Sequence, residues 1–283
     1  VRGSSPGREE AALSWWDAFL EIIYPQPPAC RLCHRPRTGR RRGVQGELCS
    51  ACWAAIYGVP LGLIGCPTCA RFFSEGRTAS SGVAAGGDRS CPECSRQTPL
   101  LAGAVATGLY AGRLREAIHR LKYQNERELA RPLGHLLARR MLPLLPATEP
   151  LLLVPVPLHP RRREERGYNQ AELIAQAVAR ELGSRVRLEP QLLQRRLETE
   201  AQTGLGREER LHNLSGAFDV APQALGRLAG RSVLLIDDVV TTATTARECA
   251  AALQAGGSGP VLLGVVAAGR LPETAARPEE ENR

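Results

Sequence analysis

Eight of the chain's nine cysteines fall into four C-x-x-C pairs, Cys30/Cys33, Cys49/Cys52, Cys66/Cys69 and Cys91/Cys94, and these decide what residues 30–100 can fold into. A gap of two residues lets both thiolates of a tight turn face one tetrahedral ion at about 2.3 Å. The surrounding segment is loop-rich, and its Ser74–Gly87 stretch is of low complexity with little apolar content, so no core forms there without staples. Disulfides are disfavoured because no basic-then-apolar export signal opens the chain, and a redox pair stands alone rather than in a fourfold array. A double zinc-ribbon domain over residues 30–100 is therefore expected. Four bound thiolates leave no open position on the ion, so Zn2+ there would serve folding, not catalysis. Sequential pairing would give one ion to the first four cysteines and a second to the last four, while spacing alone leaves cross-pairing open. His34, beside Cys33, reads as a surface residue rather than a ligand, and Cys249 as a small core residue.

From about Leu101 the texture changes. Apolar runs at Ala104–Tyr110, Leu151–Val156, Val186–Leu188, Val233–Ile236 and Val261–Ala267 alternate with helical patterns at Leu114–Lys122, Leu129–Leu145, Ala171–Leu182 and Thr244–Ala255. That alternation predicts an α/β domain over residues 101–270, a parallel sheet covered by helices on both faces. With 283 residues and 43% apolar content, the chain can build one sizeable core plus a smaller module. Residues 1–29 read as a tail with a short amphipathic helix carrying Leu13, Trp16, Leu20 and Ile23, and residues 271–283 as a disordered tail. The apolar runs fall far short of the ~20 residues that cross a bilayer, so a cytoplasmic protein with no membrane span is expected.

The most informative stretch is Val233-Leu-Leu-Ile-Asp-Asp-Val-Val-Thr-Thr-Ala-Thr-Thr245, an apolar strand, two acids and a hydroxyl-rich turn that opens a helix. Ligands of parallel sheets lie beyond the carboxyl ends of the strands. Free N–H groups at a helix N-terminus attract phosphate, and Thr241, Thr242, Thr244 and Thr245 add donors. Asp237 and Asp238 suit the hydroxyls of an attached sugar, or the neighbourhood of a metal bound by its pyrophosphate. An ordinary capped helix would need one hydroxyl, not four.

This stretch resembles the phosphoribosyl pyrophosphate motif of type I phosphoribosyltransferases. More of the chain resembles the ComF family of competence-associated proteins: the multi-C-x-x-C region, Pro155-Val-Pro157, Arg166-Gly-Tyr-Asn-Gln170, and the series Thr199, Gln202, Leu205, Arg210, Asn213, Gly216-Ala-Phe218. The likeness runs from about Cys30 to Ala267. It implies a phosphoribosyltransferase-like fold, ribose contacts from Asp237 and Asp238, and a 5′-phosphate loop of Thr241, Thr242, Ala243, Thr244 and Thr245. It also implies pyrophosphate or flap roles for Arg161, Arg162, Arg166, Tyr168, Asn169, Gln170, Gln202, Arg210 and Asn213. Mg2+ would accompany the phosphoribosyl pyrophosphate, and the activity implied is transfer of ribosyl 5-phosphate to an acceptor the sequence does not name. The alternative is a non-catalytic nucleic-acid-binding module that uses the phosphosugar as a ligand. The family usually has glycine where this chain has Ala243; if that position needs a positive φ, alanine costs on the order of 1 kcal/mol.

The formal charge of +8 favours anionic partners. Arg31, Arg35, Arg37 and Arg40–Arg42 crowd the first cysteine loop, where Trp53 and Tyr57 offer stacking surfaces. Nucleic-acid contact is therefore a candidate, set against the nearby Glu47, and the resemblance implies single-stranded DNA and proteins of the competence machinery as partners. Lys122, the single lysine, follows a helix bearing Arg113, Arg115 and Arg120 and reads as a surface residue, with a phosphate site or a DNA-binding face as alternatives. Residues 195–213 are polar and long enough for a mobile flap.

Overall fold

A computed structural model of the chain describes residues 29–37, 47–74, 89–96, 98–146, 149–195 and 216–272. The expected helix at residues 13–24, Arg40–Arg42, Gln202, Arg210, Asn213 and the flap beyond Arg195 lie outside them. In chain order the elements are α1 (Ser50–Tyr57), β1 (Leu63–Gly65), β2 (Phe72–Ser74), β3 (Gly103–Leu109), α2 (Gly112–Tyr123), α3 (Ala130–Met141) and β4 (Leu151–Pro155). Then come α4 (Pro160–Arg166), α5 (Gln170–Leu182), β5 (Val186–Leu188), β6 (Leu193–Arg195), β7 (Phe218–Val220), β8 (Val233–Val240), α6 (Thr244–Ala255) and β9 (Val261–Ala268).

Five strands form one sheet in the order β3-β9-β8-β4-β5, every pair parallel. Their apolar runs are near-continuous because both faces are covered: all five residues of β4 are buried. Successive strand residues point to opposite faces. Leu152, Val154, Leu235 and Leu263 join a core that includes Ala246, Cys249 and Leu253 of α6. Leu151, Leu153, Leu234 and Ile236 join the other, beneath α2, α3 and α5. A β-carbon added at Gly134 of α3 would sit 2.5 Å from Ala177 Cβ and 2.9 Å from the Ile174 carbonyl of α5. That helix-interior glycine costs about 1 kcal/mol in propensity, and it is what lets the two helices cross so closely.

The cysteine-bearing segments pack on this framework, each against a different face. Cys30, Leu32, Cys52 and Ile56 belong to the core under α2 and α3, whereas Cys66, Cys69, Phe72 and Phe73 belong to the core under α6. The second segment is also tied by backbone: Ala104 N–H donates to Pro67 O, Phe72 N–H to Gly269 O, and Leu271 N–H to Phe72 O.

Two expectations need correction. The strand carrying the acids does not end at them; β8 runs on to Val240, because Asp237 and Val239 continue the ladder with Val265 and Ala267 of β9. The segment between β4 and α5, absent from the expected helices, is helical. Pro160 at the first helical position and Gly167 at φ 75° after the last bracket a seven-residue helix, α4, whose Pro-Arg-Arg-Arg-Glu-Glu-Arg sequence has no apolar period to betray it.

Candidate functional site

The eight paired cysteines gather sequentially. Cys30, Cys33, Cys49 and Cys52 form one group, and Cys66, Cys69, Cys91 and Cys94 the other, with the sulfurs of each group within 4.8 Å of one another. Tetrahedral thiolates around zinc lie about 3.8 Å apart, given a Zn–S length of about 2.3 Å. The Cys33–Cys49 and Cys69–Cys91 sulfurs are 3.6 and 3.9 Å apart. The first turns of both groups have one geometry. Cys30 N–H donates to Arg35 O and Cys66 N–H to Arg71 O, with His34 (φ 57°) and Ala70 (φ 64°) in the left-handed region after the second cysteine. Donors aimed at sulfur complete each cluster: Cys52 N–H to Cys49 Sγ, Cys91 N–H to Cys66 Sγ, and Arg71 Nε–H to Cys69 Sγ. Burial works against ionising Cys30, yet the backbone N–H groups of Cys33, Cys49 and Leu32 outweigh it and draw the thiol down to about 6. Each cluster therefore has the donor set, spacing and second layer of a structural zinc site. His34 is no ligand; its Nε2 faces Arg120 Nη2 at 2.9 Å.

The second candidate site follows from connectivity. From β4 the chain proceeds to the edge strand β5, and from β8 it proceeds the opposite way to β9. Between β4 and β8 the winding reverses, and the crevice beyond the strand ends at such a point is where parallel sheets bind ligands. Pro155 of β4 and Ile236 of β8 are in register there. The two stretches singled out above therefore flank one crevice: Asp237–Thr245 after β8, and Pro157–Gln170 after β4.

On the β8 side, Asp238 is buried and Asp237 half-buried. Burial, together with the neighbouring Asp238 charge, pushes the Asp237 carboxyl up to about 8. Ala243 is buried, at φ 64° and ψ 3°, and occupies the N-cap of α6 without making a capping hydrogen bond. The positive φ considered above is thus observed. Thr244 donates to Thr242 Oγ1 at 3.0 Å rather than to a backbone group, so the threonines leave the helix N-terminus uncapped. In general, the free N–H groups of an uncapped helix start attract anions.

On the β4 side, Arg161 and Arg162 are exposed on α4. Arg166 donates to the Gln170 side-chain oxygen and lies over the Tyr123 ring. Tyr168, Asn169 and Gln170 are buried. Tyr168 Oη donates to the Leu121 carbonyl, and Asn169 caps α5 through Ala171 N–H while donating to Val156 O at 3.0 Å. These three brace the crevice wall.

Lys122 is not a surface lysine. Its side chain is 19% exposed, and Nζ lies 2.8 Å from Asp238 Oδ2. Burial works against the ammonium, but the Asp238 carboxylate outweighs it and raises the pKa above its ordinary value. Lys122 also lines a cavity of about 250 Å3 with Tyr123, Asn125, Arg162, Glu165, Arg166 and Tyr168. It thereby touches both halves of the site. Sequence reasoning passed over Tyr123 and Asn125; the available signal was an asparagine just past the end of the helical pattern, where the structure places it in the left-handed region at φ 56°.

No protein-family model matches the chain. Competence protein F of Haemophilus influenzae is 35% identical over 164 residues, covering 56% of this chain and 69% of that protein. The DNA utilization protein YhgH of Escherichia coli K12 is 30% identical over 217 residues, covering 74% of this chain and 93% of that protein. The chain belongs to the ComF family. Among its ComF relatives, competence protein ComFC of Bacillus subtilis is 28% identical over 161 residues, 55% of this chain and 62% of that protein. Of solved structures, the allosteric regulatory enzyme of purine biosynthesis aligns at TM-score 0.31 and 17% identity, over 48% of this chain and 26% of that one. A protein from Thermus thermophilus aligns at TM-score 0.31 and 19% identity, over 52% of this chain and 86% of that one. For this ComF chain, what stands independently of those alignments is an α/β architecture with a parallel sheet and two four-cysteine clusters. No described helix is long and apolar enough to cross a membrane.

Proposed function

We propose that the crevice between β4 and β8 binds phosphoribosyl pyrophosphate, as the type I phosphoribosyltransferase motif at Asp237–Thr245 implies. The observation that carries this reading is the conjunction, at the point where the winding reverses, of an acid pair with an uncapped helix N-terminus. Asp237 and Asp238 would take the ribose hydroxyls, and the amides and hydroxyls from Thr241 to Thr245 the 5′-phosphate. Arg161, Arg162 and Arg166 would face the pyrophosphate, as planar donors suited to phosphate oxygens. Mg2+ would enter with the pyrophosphate, near the acid pair, and its charge would favour the ionised form of Asp237. Zn2+ in the two cysteine clusters would hold the N-terminal region folded.

If the site is catalytic, an acceptor atom bonds to the ribose C1 as the C1–O bond to pyrophosphate breaks, and the bonding pair departs with pyrophosphate. The residues named serve that reaction by positioning and by stabilising the leaving charge. No residue is assigned as a general base. A second reading, a nucleic-acid-binding module with the phosphosugar as ligand, draws on the relatives' names, which refer to competence and DNA utilization. It also draws on a groove of about 840 Å3 beside the first cysteine cluster, where Arg35, Arg113, Arg115, Arg120, His34 and His119 outnumber the acids Glu116 and Glu126.

Calorimetric titration with phosphoribosyl pyrophosphate, with and without Mg2+, tests the binding. Saturable heat that needs the pyrophosphate group supports it, and no heat in either condition refutes it. Steady pyrophosphate release with a panel of nucleobases would mark an enzyme, whereas binding without turnover would mark a module.

A further inference from the structure

We propose that Arg120 is a positioning residue that bolts the last turn of α2 to the first cysteine turn and so holds Lys122 against Asp238. Residues two apart on a helix leave it about 200° apart, on nearly opposite sides. On one side Arg120, only 7% exposed, donates to the backbone carbonyls of Leu32 and Arg31, both inside the Cys30–Cys33 turn. Its Nε–H also donates to Glu126 at 2.7 Å. On the other side Lys122 reaches Asp238 of β8 at 2.8 Å. One helical turn therefore bridges the cysteine cluster and the crevice.

The bridge is doubled. Arg31 pairs with Glu128, and Glu47 with Arg131 at 3.0 Å, so the same cysteine segment also pins the stretch that follows α2. That stretch includes Asn125, which lines the 250 Å3 cavity with Lys122, Arg162 and Arg166. A rotation of the last turn that freed Arg120 from the two carbonyls would draw Nζ off Asp238. The first cluster thus works as a clamp on the crevice wall, beyond its role in folding. The consequence for ligand binding rests on the phosphosugar reading; the mechanical coupling does not.

Because Lys122 is the only lysine, an amine-acylating reagent followed by peptide mass mapping reads this side chain separately from the chain's α-amine. In Arg120→Met the acylation rate is expected to rise about fivefold over wild type as the ammonium loses its fixed partner. The same rise is expected in Cys30→Ser with Cys33→Ser. Leu253→Ala, which destabilises the opposite core, serves as a control matched in melting temperature. A rate in Arg120→Met no higher than in that control overturns the proposal. Should Arg120→Met not fold, Glu126→Gln removes one anchor of the guanidinium and leaves the others. A faster rate there supports the clamp, and an unchanged one overturns it. Titration of the same variants with phosphoribosyl pyrophosphate is expected to show about tenfold weaker binding. If wild type binds none while acylation still responds, the coupling stands and the ligand assignment fails.

Discussion

Asp238 on β8 and Lys122 at the end of α2 form an ion pair of 2.8 Å, both side chains largely shielded from water. The pair joins a strand end to a helix end across the crevice, 116 residues apart in sequence, which makes it both a structural tie and the electrostatic centre of the proposed site.

Removing one partner leaves a buried, uncompensated charge. Lys122→Met is expected to destabilise the protein by about 3–5 kcal/mol, and Lys122→Met with Asp238→Asn by clearly less. Chemical denaturation of the wild type, both single variants and the double variant measures the coupling. Additive losses would show that the pair contributes nothing.

Asp237 answers differently. Its pKa in the fold is raised to about 8 from an ordinary 3.8, so the folded state holds the proton more tightly than the unfolded chain does. The associated stability is complete below the unfolded pKa and is lost as pH rises through about 8. Asp237→Asn should therefore raise the melting temperature at pH 8, flatten its dependence between pH 5 and 8, and abolish binding of phosphoribosyl pyrophosphate. Asp238→Asn is the poorer probe of binding, because it orphans Lys122. A variant at 237 that keeps wild-type affinity counts against the ribose assignment.

Ala243 stands at φ 64°, where its β-carbon carries a steric cost that glycine avoids. Ala243→Gly is expected to stabilise the protein by about 1 kcal/mol, a rise of about 2–4 °C in melting temperature for a domain of this size. If the loop cradles phosphate, affinity should tighten as well. A lower melting temperature would mean the loop does not hold this conformation in solution.

The cysteine clusters predict metal content. The wild-type protein should carry two zinc ions by elemental analysis, and Cys66→Ser or Cys30→Ser one each, because serine cannot complete a four-thiolate site. Retention of both ions in either variant would mean that sulfur at that position is dispensable.

Much of the fold was legible because its signals are local. The helix Gln170–Leu182 begins at Asn169 and ends at Gly183, as the cap residues and apolar period demand. Helix α6 likewise spans Thr244–Ala255. The four cysteine pairs announced four-thiol clusters, but spacing left their partners open, and only the folded chain joined them in sequence order. Helix α4 escapes sequence reading because a short polar helix on the surface carries no hydrophobic period. Lys122 reads as a solvated residue in sequence because nothing adjacent to it tells that a carboxylate from β8 lies above it.

By itself the sequence determined the chemistry available: eight thiols in four C-x-x-C pairs, an acid pair beside a hydroxyl-rich turn, and strands apolar enough to be buried on both faces. Those properties belong to short stretches of chain and follow from residue type and spacing. The tertiary structure decided which groups meet. The side-by-side placement of β4 and β8, the approach of Lys122 to Asp238 and the grip of Arg120 on the Cys30–Cys33 turn are contacts between segments far apart in sequence. Such contacts exist only once the core has closed, because burial of the apolar faces sets the distances at which the charged groups are held.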